Sequence, residues 1–220
     1  MDKIEELRKD FVLTNLTDKE VEDRFNKIAK NLFNNFIIKT SYGDFRFEEI
    51  EFYFHSKNHP DYIAHPRKSE PLIWYINDFG GIDLNFESKI KFENLLNSKG
   101  KNVKKYVLDE SAYFGGVLIR QLKEVESGEI LKGPLACAEL FRCYDATGID
   151  HDFPVLVEHD NGMVGYIRKP RVNILRSNQS VEDKVNNILY QYHDNVQPSK
   201  DSLYQDFINF KDKLYGYENR

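Results

Sequence analysis

Cysteine is scarce: among 220 residues only Cys137 and Cys143 carry thiols. Six positions apart in an expected helix, their side chains leave on different faces, which excludes a ready disulfide between them. No stretch approaches the about eighteen consecutive apolar residues of a membrane helix. The opening Met1-Asp2-Lys3-Ile4-Glu5-Glu6 lacks the apolar core of a secretory signal. These absences lead us to expect a reduced, cytoplasmic chain with no membrane partner. Basic excess is missing too: 31 Lys and Arg stand against 36 Asp and Glu, a formal charge of -5. That balance opposes polyanion binding overall, because contacts from Lys and Arg to phosphate supply most nonspecific DNA affinity. There is no internal repeat, no low-complexity tract and no phosphate loop, since Gly80-Gly81 and Gly115-Gly116 lack the motif that would make them one. His55, His59 and His65 sit in a loop where Pro60 prevents a helix from aligning an i, i+4 pair, and no Cys or acidic ligand cluster accompanies them. We therefore expect neither a metal nor a cofactor.

What is present suits one core. At 220 residues and 40% hydrophobic, the chain can bury a sizeable interior as a single main domain. Leu16, Thr17 and Glu20 read as a staple and capping box opening a helix with the apolar stripe Val21, Phe25, Ile28, Leu32. Asn34-Asn35 offers a left-handed stop. Phe36-Ile37-Ile38 then turns through Ser41-Tyr42-Gly43-Asp44 into a second strand. A hairpin is expected over 72–86 around Gly80-Gly81, a buried strand over 113–122, and a helix from Gly133 to Phe141 with Pro134 in its first turn. Another hairpin is expected with Val155 to Val157 and Val164 to Ile167 as arms and Asp160-Asn161-Gly162 as turn. Two amphipathic stripes close the chain: Val181, Val185, Ile188, Leu189, Tyr192 after Ser180, and Leu203, Phe207, Phe210, Leu214. The domain plan is thus a main unit over 1–175, with N-terminal helices in 1–34 and an insertion at 87–112. A helical extension over 176–220 packs on it.

One strand stands out for its chemistry. From Phe45 to Phe54 the period of two places Ile50, Phe52 and Phe54 on one face and Phe45, Phe47, Glu49, Glu51 and Tyr53 on the other. Carboxylates among aromatic rings are costly to bury unless paired. Such a strand needs water or a job for its acids.

Read with Ala64-His65, Trp74-Tyr75-Ile76, Leu84-Asn85, Arg120 in the run from Gly116 to Leu122, and Pro170-Arg171-Val172, the Glu49 to Tyr53 strand resembles the alkyladenine (3-methylpurine) DNA glycosylase family. The likeness runs from Ile28-Ala29-Lys30-Asn31-Leu32-Phe33 through Glu49-Ile50-Glu51-Phe52-Tyr53, Ala64-His65, Trp74-Tyr75-Ile76 and Leu84-Asn85. It ends with the GVLIRQL run from Gly116 to Leu122, Gly133-Pro134, and Pro170-Arg171-Val172. It covers roughly residues 26 to 175. The resemblance implies an α+β domain with a curved, mostly antiparallel sheet, the methylpurine-DNA-glycosylase-like open barrel, flanked by helices. It implies hydrolysis of the N-glycosidic bond of an altered purine flipped out of DNA, by a monofunctional base-excision repair mechanism.

In that reading Glu51 deprotonates the attacking water, Arg120 holds the water and keeps Glu51 ionised, and the Val172 carbonyl accepts its other hydrogen. Tyr53, His65 and Tyr75 sandwich the base, while Asn85 tests purine substituents. The family's duplex-wedging tyrosine is replaced here by Asp78, with Phe79 beside it as the better wedge. The spacing from Asn85 to Arg120 is longer than the family's, and the aromatic strand after the Arg-Val step is missing. Candidate DNA contacts are Lys99, Lys101, Lys104, Lys105, Arg168, Lys169 and Arg171. Two other readings stay open: a nucleobase- or nucleoside-binding module that does not dock DNA, and a structural or partner-binding protein on the same fold. Oligomeric state is not legible.

Overall fold

Two helices open the chain: α1 (Lys3–Asp10) and α2 (Asp18–Asn35). The computed structural model describes residues 2–77, 80–97, 99–142, 153–172, 174–175, 178–192 and 199–220. In α2 the Thr17 side chain accepts from the Glu20 amide, and Glu20 reaches back to the Thr17 amide, closing the expected capping box. Its stripe of Val21, Phe25, Ile28 and Leu32 is fully buried. Contrary to the expected left-handed stop at Asn34-Asn35, α2 runs directly into β1 (Phe36–Thr40), with Phe36 already extended.

The carbonyls at the end of α2 are satisfied from a distant loop. Asn161 Nδ2 donates to Phe33 O and Phe36 O, each at 2.9 Å. The amides of His159 and Asn161 reach Asn35 O and Asn34 O at 2.9 and 2.8 Å. The Asp160-Asn161-Gly162 stretch is therefore spent on helix capping and does not close a hairpin. β10 (Val155–Glu158) pairs with β1, whereas β11 (Tyr166–Lys169) pairs with β12 (Gly216–Asn219).

Between these lie β2 (Gly43–Ser56), β3 (His59–Pro60), β4 (Trp74–Ile76), β5 (Ile82–Asn85), β6 (Lys91–Leu96), β7 (Asn102–Val107), β8 (Phe114–Glu124), β9 (Ile130–Lys132) and α3 (Pro134–Leu140). α4 (Val181–Tyr190) and α5 (Lys200–Lys211) follow β11. Among the described residues, ten strands form one sheet whose main path is β10-β1-β2-β8-β5-β4, and its pairings are antiparallel. The expected α+β class with a large antiparallel sheet is the architecture observed. The sheet is not closed into a barrel, yet its two ends approach: Trp74 on β4 donates Nε1 to Pro154 O, just ahead of β10, at 2.8 Å. β6 and β7 make a separate two-stranded sheet inside the expected insertion.

The tail differs from a purely helical extension. After α5 the chain returns as β12, which enters the sheet between β2 and β11, and Tyr215 and Tyr217 are buried in the main core. Alternation along β2 breaks as well. A register shift around Glu48 lets Phe45 and Phe47 share the core with Ile50, Phe52 and Phe54, so they do not lie on the face of Glu49, Glu51 and Tyr53. The physical reason is the extra residue of a β-bulge: one inserted position reverses the facing of everything before it.

The sheet is covered on both sides. α1 and α2 pack on the Phe52 face, with the Phe25 and Phe52 rings stacked at 4.5 Å. At the His55 end of the opposite face, α4 and α5 cover a second cluster containing Phe114, Ile188, Leu203 and Phe207. The polar ground around Glu51 lies beside that second cluster, since Tyr53 packs against it.

Candidate active site

Glu51 sits in the middle of β2, flanked by Leu118 of β8 and Gly216 of β12. Residues paired across antiparallel strands share a face. The rows Glu51–Leu118–Asp83–Tyr75 and Tyr53–Gly116–Asn85 therefore lay four of the expected site residues, Glu51, Tyr53, Tyr75 and Asn85, along one side of the sheet. A second register shift, between Glu49 and Ile50, leaves an unpaired residue in β8. Arg120 and Gln121 then both reach the acid face: Arg120 Nε is 3.8 Å from Glu51 Oε1, and Gln121 Nε2 donates to Glu49 Oε2.

The carboxylate of Glu51 has no exposed surface. Tyr53 donates its hydroxyl to Oε2 at 2.6 Å, and the Val172 N–H donates to Oε1 at 2.7 Å. Glu51 with Tyr53, Arg120 and Val172, from three segments distant in sequence, thus meet at one group. Val172 touches it through its amide, a contact that sequence reasoning did not anticipate. Burial raises the Glu51 pKa above its ordinary 4.5, opposed by the hydrogen bonds from Tyr53 and Val172 and by the charges of Arg120 and Arg171. Burial also pushes the Tyr53 phenol well up, with the Glu51 charge adding to it, so this hydroxyl stays a donor.

Close approach requires glycine beside Tyr53. A Cβ on Gly115 would fall 2.0 Å from Tyr53 O, and one on Gly116 would fall 2.9 Å from Arg67 Nη2. His65 and Tyr75 come together, their ring centroids 6.4 Å apart and tilted by 30°. Asn85 is buried, its Nδ2 donating to Ser69 Oγ at 2.8 Å while Oδ1 has no hydrogen-bond partner.

Two buried ion pairs back this ground, and sequence reasoning missed both. Arg171, expected among the DNA contacts, is instead fully buried: its Nη1 and Nη2 hold Asp61 at 2.6 and 3.2 Å. Arg67 Nη1 holds Asp83 at 2.6 Å. The adjacency of Arg171 to Val172 was a usable signal, but nothing local in the sequence marks Asp61, Arg67 or Asp83 as partners.

The remaining basic candidates are divided. Lys169 pairs with Glu49 at 2.9 Å and Glu218 at 2.7 Å, on the same face as Glu51. Arg168 Nε donates to Leu214 O at 3.1 Å. Lys104 lies over Phe92 and Tyr106, and Lys105 lies over Tyr190. Lys99 and Lys101 are exposed at the β6–β7 turn. His55 packs between Phe114 and Tyr62, and His59 Nδ1 meets Asp18 at 2.5 Å. Asp78, Phe79 and Cys143 lie outside the described residues. Two surface cavities, of about 90 and 300 Å³, are lined by residues other than these site residues.

The arrangement can do limited, definite chemistry. An ionised carboxylate has about four lone-pair sites. Tyr53 takes one on Oε2 and Val172 one on Oε1, so capacity remains for a water on Oε2. Beside the carboxylate, the Arg120 side chain is 23% exposed and Val172 is 37% exposed.

Among known proteins, the chain is similar to an uncharacterized protein of Acanthamoeba polyphaga mimivirus, 30% identical over 142 residues, 59% of this chain. It spans 62% of that relative's length. No family profile and no solved structure matches it.

Proposed function

We propose that the Glu51 site hydrolyses the N-glycosidic bond of an altered purine, with DNA as the carrier of that base. The observation that carries this reading is the convergence of Glu51, Arg120 and Val172, three separate motifs of the glycosylase resemblance, on one buried carboxylate. Tyr53 and the His65–Tyr75 pair supply aromatic surface on the same side of the sheet. The approach of β4 to the start of β10 through Trp74 and Pro154 fits the open barrel that the resemblance implies.

The step balances simply. Glu51 takes one proton from water, and the water oxygen bonds to the anomeric carbon. The C–N bonding pair leaves with the purine: a cationic base departs neutral, and a neutral base departs as the anion and takes up a proton from solvent. A carboxylate beside the oxocarbenium-like sugar also stabilises its positive charge. Burial that raises the Glu51 pKa makes it a stronger base once ionised. Arg120 favours that ionised form.

The test is Glu51→Gln. Base release should fall by at least about a hundredfold, while affinity for a stable abasic-site mimic stays nearly unchanged. Unaltered turnover would remove Glu51 from the mechanism. A second reading, a nucleobase- or nucleoside-binding module, is favoured by the complete burial of Glu51 and by the net charge of -5. It predicts purine binding by the wild type with no release of base from any duplex.

A further inference from the structure

The lysines of the 87–112 insertion stand on a hairpin of their own, β6–β7, outside the main sheet. Residues 91–107 hold five lysines and one glutamate, a local charge of +4 in a chain whose formal charge is -5. The hairpin is held at its base: Tyr106 N donates to Gln191 O at 2.9 Å, and Tyr106 packs against the second cluster. Lys91 pairs with Asp109 at 3.0 Å, and Lys105 Nζ donates to Tyr190 O. Its turn is fixed as well. Asn97 Oδ1 accepts from the Lys99 and Lys101 amides at 2.9 and 3.0 Å, and Gly100 takes the left-handed φ of +70°. Lys99, Lys101 and Lys104 therefore project from a set backbone, and all three are exposed.

Register assigns the faces. Phe92 pairs with Tyr106, Asn94 with Lys104 and Leu96 with Asn102, so these six residues share one side of the hairpin. All but Tyr106 are exposed, Phe92 at 46% and Leu96 at 72%. A phenyl ring and a leucine set between two amides and a lysine form more than a solvated face needs. The Lys104 ammonium rests 4.0 Å from the Phe92 ring centroid and 5.0 Å from that of Tyr106. Such a contact is weak at an exposed site, and the flexible lysine stem can carry the ammonium to a phosphate, leaving the Phe92 ring to another partner.

The partner that fits all of these groups is a polyanion with unpaired bases. Phe92 can stack on a base, the Asn94 and Asn102 amides can donate to and accept from base edges, and the lysines can meet phosphates. In a duplex the base faces are stacked and the pairing edges are taken, so a duplex engages the lysines alone. An anionic lipid surface fits poorly. Leu95 and Leu96 leave on opposite faces, and the turn beyond them carries Lys99 and Lys101, whose charges would enter the bilayer first.

We propose that the Phe92–Asn94–Asn102–Lys104 face of the β6–β7 hairpin binds single-stranded nucleic acid. It uses none of the Glu51-site residues and does not rest on the glycosidic reading.

The experiment is fluorescence anisotropy with a labelled oligothymidine of about 15 nucleotides and a duplex of the same length, at about 50 mM salt. The wild type should bind the oligothymidine about tenfold more tightly than the duplex. Phe92→Ala should lose about tenfold on the single strand and less than about twofold on the duplex. Phe92→Trp should keep the single-strand affinity, and its indole fluorescence should be quenched by oligothymidine and not by duplex. The pair Lys99→Ser and Lys101→Ser should weaken both complexes and lower the single-strand salt slope by about 1.4. Glu51→Gln should alter neither affinity, so loss of the glycosidic reading leaves this one intact. Equal affinity for the two probes, no binding of oligothymidine, or an unquenched Phe92→Trp protein overturns the proposal. Tighter capture by phosphatidylserine vesicles, lost in Leu96→Asn, overturns it in favour of a lipid contact.

Discussion

Glu51 and His55 lie on one strand and the same face, and burial shifts them in ways that work oppositely with pH. The folded state raises the Glu51 pKa above 4.5, so protonated Glu51 is the form the fold prefers. Its stabilising share is complete at low pH and is lost as pH climbs from 4.5 through the raised value. Glu51-dependent activity should therefore rise with pH through that same value, and Tyr53→Phe, which removes a donor to the carboxylate, should move the acid limb of the rate profile to higher pH. An acid limb that stays in place would separate Tyr53 from Glu51 ionisation. Burial pushes His55 the other way, from 6.5 down to about 3. Stability tied to neutral His55 is present above 6.5 and is lost as pH falls towards 3. Between pH 7 and 5 the loss should be about 2 kcal/mol, and His55→Leu should abolish that part of the slope in urea denaturation. Of the site residues, Glu51, Tyr53, Arg120 and Val172 were legible because motif order identified them. Asp61, Arg67 and Asp83 were not, since a buried arginine finds its aspartate through a loop path that no local pattern encodes.

Elements show the same division. α2 was readable from its cap and stripe because both act within a few residues. The face assignment of Phe45 and Phe47 failed because a bulge at Glu48 cannot be seen in alternation that simply continues. The expected hairpin over 155–167 failed for another reason: Asn161 satisfies α2 carbonyls far away in sequence. Asn161→Ala should accordingly cost about 1–2 kcal/mol, read as a lower urea midpoint at unchanged slope. A stability equal to wild type would mean that other groups cap α2. Tail truncation after Asp212 tests β12. It strips two fully buried tyrosines and a central strand partner of β2, so the remaining chain should not show a cooperative unfolding transition.

For the whole molecule, charge decides what the fold can dock. A net charge of -5 works against a duplex, and Lys169 and Arg171, two of the basic residues nearest Glu51, are already committed to carboxylates. Duplex affinity should be weak and fall with salt at a shallow slope, reflecting only a few phosphate contacts. Titration of a labelled duplex between about 20 and 200 mM salt reads that slope. No salt-sensitive binding at the low end would leave the nucleoside-binding module as the better account.

The sequence by itself determined the α+β class, the capped first helix, the amphipathic stripes of α4 and α5, and the order of residues that gather at Glu51. Each of these is a property of neighbours in the chain or of motifs in series. Only the tertiary structure decided that β12 enters the sheet beside β2, that β10 and β11 part company, and that Arg67 and Arg171 lie over the rings of Tyr75 and Tyr53. Those outcomes depend on which distant groups can satisfy a buried carbonyl or charge. Desolvation makes that satisfaction obligatory, and no local periodicity records it.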